Sequence, residues 1–270
     1  MIKKIFLFIA LLFSTALFAQ TQPIRVAVIG GITMSGLWDQ ISTAFEKRYG
    51  IKTELVITGP KRILGPYCKS HDVDLVTMHS SDTIANLAAE GIIEDLTPWM
   101  HNSQMLIAPK TNPAKLEQDD TLQGALQKIT DSKSIFLIHA SGGTFEVFHA
   151  ISMQYAFQPK TIFTQKANGF LDQVVANDAY TLFGVIPFLM QKHYDPNVTG
   201  FIIEDESLQR PYLAAVGTPK RIGKERYDNA QLLLQFLTSS EVQTMIRNFR
   251  LKDFSDTPVF FPIKVNKIAL

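Results

Sequence analysis

Cysteine is nearly absent: 270 residues contain only Cys68. An internal disulfide is therefore excluded, as is a metal centre built on paired cysteines. A lone thiol of this kind is expected to be a small buried apolar residue rather than a nucleophile. An excess of one charge is also lacking. Lys and Arg total 26 against 25 Asp and Glu, the net charge is +1, and no basic block stands out. That composition offers no electrostatic footprint for nucleic acid. Internal repeats and low-complexity stretches are missing. After the first twenty residues no apolar run is long enough to span a bilayer. No Gly-Lys-Ser/Thr follows Gly30-Gly31 or Gly142-Gly143, so neither pair opens a phosphate-binding P-loop. Thr33 and His139 stand where Gly-x-Ser-x-Gly would need its first glycine, before Ser35 and Ser141.

What is present begins with an export signal. Lys3 and Lys4 precede the apolar run Ile5–Phe13, with small residues at Ala16 and Ala19. This reads as a secretory signal peptide over residues 1–19, cut after Ala19, which directs the chain to the periplasm. The remaining residues alternate between strand and helix patterns. Ile24–Ile29 is a continuous β-branched run, as expected of a parallel strand covered on both faces. Gly30–Met34 is expected as a loop and Ser35 as the cap of a helix ending at Gly50. Leu37, Ile41, Ala44 and Phe45 give that helix an apolar face. Strands are expected over Lys52–Thr58 and Asp72–His79, each followed by a helix. Near Glu94 the rhythm breaks at two prolines and a Trp, and a new strand is expected at Met105–Ala108. Ser134–Ile138 is another strand, followed by a helix from about Phe145. Tyr212–Val216 reads as a strand that carries the chain back, and Ser240…Gln243 as a capping box.

Two stretches repeat one chemical arrangement: a strand end, a Gly/Ser/Thr loop and a helix N-terminus. The first holds Thr33 and Ser35; the second is His139-Ala140-Ser141-Gly142-Gly143-Thr144. Helix N-termini present free N–H groups and the positive end of a dipole, which suits an anion. One such loop serves equally as a tight connection, whereas a facing pair forms a clamp. A third polar turn, with His79 and Ser80, leaves a strand at the same sheet edge, where α/β folds gather ligands. Ser35 or Ser141 in a secreted serine hydrolase is the alternative by class. His71, Asp72, Asp74 and His79 lack the spacing of a metal site. Arg62 is the best-placed cation near the crevice, though a solvated helix position explains it equally.

The order of these motifs resembles one family. Thr33-Met34-Ser35-Gly36-Leu37, Gly50-Ile51-Lys52-Thr53, Val73-Asp74-Leu75-Val76-Thr77-Met78-His79, Ser141–Thr144 and Ala179–Leu182 occur in sequence, and Leu237-Thr238-Ser239 precedes Glu241 and Gln243. Together they resemble a periplasmic solute-binding protein of ABC-transporter type, most like the tungstate-binding branch. The resemblance implies an α/β, two-lobed periplasmic-binding-protein (type II) fold, with two mixed sheets and a hinge. Lobe 1 would hold residues 20–102 plus 209–270, and lobe 2 residues 103–208. It also implies a non-enzymatic monomer without cofactor or metal, which captures a tungstate- or molybdate-like oxyanion for an ABC permease. An organic or phosphate-like anion is the alternative. Thr33, Ser35, His79, Ser80, His139, Ser141, Gly143 and Thr144 are the expected ligand contacts. The family's second loop carries an Arg where His139 stands, and its later Asp-Arg is replaced by Phe183-Gly184. Without an arginine, the anion would depend on backbone N–H groups, hydroxyls and a protonated His139.

Overall fold

The β-branched run after Pro23 forms β1 (Ile24–Ile29), buried along nearly its whole length. The computed structural model describes residues 22–140, 143–166, 169–190 and 197–263. The expected signal peptide, and Ser141, lie outside the described residues. After β1 come α1 (Gly30–Met34), α2 (Leu37–Tyr49), β2 (Thr53–Gly59), α3 (Lys61–Ser70), β3 (Leu75–His79) and α4 (Asp82–Ala89). The long strand β4 (Ile93–Pro109) follows. Next are α5 (Leu122–Asp131), β5 (Ile135–His139), α6 (Gly143–Tyr155), β6 (Lys160–Thr164) and α7 (Phe170–Ala176). β7 (Thr181–Gly184), α8 (Val185–Met190) and β8 (Val198–Phe201) lead to the return strand β9 (Gln209–Gly217). The chain then forms α9 (Pro219–Ile222), α10 (Lys224–Leu237), α11 (Ser240–Asn248), β10 (Arg250–Leu251), β11 (Phe254–Pro258) and β12 (Phe260–Pro262).

The fold is a two-lobed α/β arrangement. Its first sheet runs β2-β1-β3-β9-β4-β12. β1 pairs in parallel with β2 and β3, whereas β9 is antiparallel to both β3 and β4. Helices α3 and α10 pack on this sheet, as its buried central strands β1 and β3 require. Phe45 of α2 packs 5.5 Å from Phe236 of α10, and truncating either ring would cost about 3–5 kcal/mol. β4 joins both sheets. Its first part, to Ser103, pairs with β9, and Gln104–Pro109 pairs with β7 and β8. Strand alternation then divides its side chains: Leu106 and Ala108 enter a second apolar core, and Met105 and Ile107 the first. β5 and β6 form a parallel pair, tied to Tyr180 just before β7.

Several local expectations are corrected. Gly30–Met34 is helix rather than loop, and Ser35 is the C-cap of that short helix, while Gly36 takes the N-cap position of α2. The Ser35 hydroxyl donates back to the Ile32 carbonyl at 2.9 Å, closing the first turn. Gly36, at φ 83°, then breaks the helix, a conformation that other residues adopt only with strain. The strand expected at Met105–Ala108 is the end of a 17-residue strand. Pro98 is tolerated within it because the register slips between Glu94/Thr97 and between Pro98/Met100. The cap of α11 is Ser239, whose hydroxyl accepts from Val242 N, rather than Ser240. Gln243 is turned inward to donate to the Trp99 and Leu237 carbonyls, both at 2.9 Å. The tail after Lys252, which has no clear periodicity, forms two short strands; Phe260 buries itself as β12 pairs with β4.

Candidate functional site

Parallel strands that share a sheet deliver their carboxyl ends to one edge. β1 brings Ile29, Gly30 and Gly31 there, β2 brings Gly59, Pro60 and Lys61, and β3 brings His79 and Ser81. The other lobe faces them with His139, Gly143, Thr144 and Glu146, and with the β7–α8 turn from Phe183 to Pro187. β4 and β9 supply Asn102, Gln104, Arg210 and Tyr212 between the lobes. The result is a cleft of two adjoining cavities, about 530 and 420 Å³, which share Ile29, Pro60, His79, Gly143 and Arg210.

Its charge centre is Arg210. The side chain is only 9 % exposed, and Nη2 donates to Glu146 Oε2 at 2.5 Å. Burial lowers its pKa and Glu146 opposes that, but a guanidinium stays charged in either case. Arg210 also lies against the first residue of α6. A Cβ built on Gly143 would fall 1.7 Å from Arg210 Nη1, so only glycine admits the guanidinium in this position. Lys61 adds a second cation, donating to Glu146 Oε1 at 3.0 Å. Its pKa is lowered, chiefly by burial.

His79 has a different character. Its Nε2 faces Asn102 Oδ1 at 3.1 Å, which assigns the neutral tautomer protonated on Nε2. The ring stacks on Tyr212 at 4.0 Å. Burial, reinforced by Arg210, holds its pKa well below the ordinary range, so it carries no charge at neutral pH. The Tyr212 phenol is raised, again by burial, and stays protonated. Two polar atoms are left over: Tyr212 Oη and Gln104 Oε1 are buried and have no hydrogen-bond partner among the described residues. Such atoms cost on the order of 1–3 kcal/mol each, which a bound ligand can recover.

Of the expected contact residues, His79, His139, Gly143 and Thr144 line the cleft. Thr33 does not border either cavity; its hydroxyl donates to the Gly30 carbonyl at 3.0 Å and accepts from the Thr58 hydroxyl at 2.8 Å. Ser35 borders a separate cavity of about 450 Å³, beside Leu189, Met190 and Phe254. Ser80 is exposed, its N–H bonded to the Pro211 carbonyl at 2.9 Å, and its neighbour Ser81 faces the cleft instead. Arg62 does line the larger cavity. The expectation of a cleft without arginine is overturned. The guanidinium comes from β9, about seventy positions beyond the loop where the family motif carries it. Arg210, Glu146, Lys61, Tyr212 and Gln104 escaped sequence reading. The available signal was weak: a charged residue beside Pro211 at the mouth of an otherwise apolar strand.

Comparison with known proteins agrees with this architecture. Residues 26–249 match the family model described as bacterial extracellular solute-binding protein. The tungstate-binding protein TupA of Peptoclostridium acidaminophilum is 24% identical over 235 residues, covering 84% of this chain and 81% of that protein. Among solved structures, the tungstate binding protein TupA from Desulfovibrio alaskensis G20 superposes with a TM-score of 0.71 at 20% identity, covering 90% of this chain and 99% of the other. The tungstate ABC transporter structure from Geobacter sulfurreducens gives 0.68 at 20% identity, covering 84% and 98%. These structures share the two-lobed fold. Because the family model covers most of its length, the chain belongs to the bacterial extracellular solute-binding proteins.

Proposed function

We propose that this protein captures a small oxyanion of the tungstate or molybdate type in the cleft and presents it to an ABC permease in the inner membrane. We assign lobe 1 to residues 20–102 plus 209–270 and lobe 2 to 103–208. The shared strand β4 and the separate second core, whose residues run from Leu106 to Leu208, support that division. Closing the lobes about the β4–β9 pair would exclude water and strengthen every charge contact inside.

One observation carries the reading: a buried arginine lies at the start of a 13-residue helix, in a cleft where the buried Tyr212 hydroxyl has no partner among the described residues. Guanidinium and helix N–H groups together suit an oxyanion, and Tyr212 Oη is an available donor. Of the expected contacts, His79, His139, Gly143 and Thr144 border this point, and Thr33, Ser35 and Ser80 would need lobe movement or belong to other roles.

Thermal shift with tungstate, molybdate, sulfate and phosphate tests the proposal. A ligand at one hundred times Kd adds about 2.7 kcal/mol. At roughly 2–4 °C per kcal/mol for a chain of this size, Tm should rise by about 5–10 °C. No shift with any of the four removes the oxyanion reading. The second reading, an organic anion, is favoured by one feature: the smaller cavity is walled by Ile29, Met34, Phe183, Ile186 and Pro187. A carboxylate or phosphonate that shifts Tm where inorganic oxyanions do not would select it.

A further inference from the structure

Glu146 lies in the first turn of α6, in lobe 2, and reaches across the cleft with one oxygen to each of two cations of lobe 1. Oε1 accepts from Lys61 Nζ at 3.0 Å, on α3 of the first lobe, and Oε2 accepts from Arg210 Nη2 at 2.5 Å. One side chain therefore pairs with Lys61 and Arg210 together and ties the two walls of the cleft to each other. All three side chains line the same cavity. A carboxylate offers the same acceptor oxygens and the same sign as an oxyanion, so it stands where a ligand's oxygens would be drawn. Among the described residues no further hydrogen bond holds it, and its side chain is 46 % exposed, whereas Lys61 and Arg210 are 16 % and 9 % exposed.

We propose that Glu146 is a tethered counter-anion, which latches the ligand-free cleft through Lys61 and Arg210 and is displaced by the entering oxyanion. The displacement rests on the oxyanion reading above; the latch does not. With Glu146 in place the three groups carry a net charge of +1. A dianion that replaces it faces two cations with two negative charges, and the freed carboxylate returns to water, where it is already half solvated. Because releasing Glu146 costs the same for every anion, it does not reorder their affinities. It sets a threshold instead. Weakly held, abundant anions such as chloride fall below that threshold, while a well-fitted oxyanion clears it.

The test uses the full mature chain as wild type, Glu146→Gln and Lys61→Gln. Glu146→Gln is nearly isosteric at a half-exposed position, so folding should be intact. Interlobe separation is read without ligand from a spin-label pair, one label per lobe. Both variants should show a wider cleft than wild type, and raising salt should widen only the wild type, since a partly exposed ion pair is screened. Calorimetric titration with tungstate, sulfate and nitrate follows. Glu146→Gln should bind every anion tighter by one common factor, about three- to tenfold. Lys61→Gln should open the cleft but bind more weakly. Unchanged separation and unchanged affinity in Glu146→Gln would overturn the proposal. So would weaker binding or a changed ranking, which would make Glu146 a direct ligand contact. If Glu146→Gln opens the cleft while no anion binds any variant, the oxyanion reading fails and the displacement with it. If wild type and Glu146→Gln bind tungstate alike and are equally open, the oxyanion reading stands and the latch fails.

Discussion

The two strand–turn–helix units read as equivalents, yet the folded chain uses them differently. In the β1–α1 turn the hydroxyls of Thr33 and Ser35 bond to carbonyls of their own turn, at Gly30 and Ile32. Their helix is one short turn, ended by Gly36. In the β5–α6 unit the helix runs 13 residues from Gly143, and a guanidinium from a distant strand lies against its first residue. The glycines of the two turns differ in what surrounds them. Gly31 leaves ordinary room, since an added Cβ would sit 3.5 Å from Tyr212 Oη; at Gly143 it would overlap Arg210. A Gly/Ser/Thr turn thus builds a local connection in one place and frames a charge in the other. What separates the two is the residue that reaches in from outside.

The sharpest way to break this comparison is to remove that residue. Arg210→Gln should weaken oxyanion binding by about ten- to a hundredfold, the value of charge-assisted hydrogen bonds worth ~1.5–3 kcal/mol. Calorimetry that shows less than a threefold loss would put the charge centre elsewhere.

The paired glycine variants come next. Gly143→Ala should displace the flexible guanidinium and lower affinity about tenfold, with little loss of Tm because the arginine can swing aside. Gly31→Ala should change affinity by less than about threefold, as its contact distance is ordinary. Equal effects would erase the asymmetry between the turns.

A smaller effect is expected from His79, through stability. Its native pKa is held below the ordinary value of 6.5, so below pH ~6.5 the unfolded chain binds the extra proton and the native one does not. Its contribution to stability is therefore complete above that pH and is lost as pH falls. Urea melts at pH 7.5 and 5.5 should show wild type losing more stability than His79→Gln. Oxyanion affinity should stay level over the same range if this imidazole remains neutral.

The smallest change is predicted for Thr33→Val and Ser35→Ala. Each removes a hydrogen bond internal to the turn, at a cost of about 0.5–1.5 kcal/mol of stability, and tungstate affinity should move by less than about threefold. A tenfold loss would mean that these hydroxyls reach the ligand once the lobes close.

Much of the fold can be read along the chain because it follows from local periodicity. The β-branched-rich run of β1, the short apolar run of β3 and the apolar stripe of α2 each predict their element and its buried face. Loss of period marks the limits. β4 is interrupted by Pro98 and by Asp95 at φ 58°, and β12 is three residues long, so both depend on partner strands for their definition. The strand-end residues His79, His139, Gly143 and Thr144 were legible as cleft-facing for a similar reason: parallel strands send their carboxyl ends to one edge.

The sequence by itself determined the alternation of strands and helices, the candidate turns and the absence of any disulfide framework. Only the tertiary structure decided which polar groups meet. Arg210 lies 67 positions after Gly143, and Lys61 lies 85 before Glu146, yet the four converge in one cleft. No periodicity encodes that convergence, because charge pairing depends on distance in space, and the register of β9 against β3 and β4 sets that distance. The same register brings Tyr212 beneath His79 and aligns Arg210 with Asn102. Thus the chain's local pattern specifies the scaffold, and strand pairing between distant segments assembles its charge.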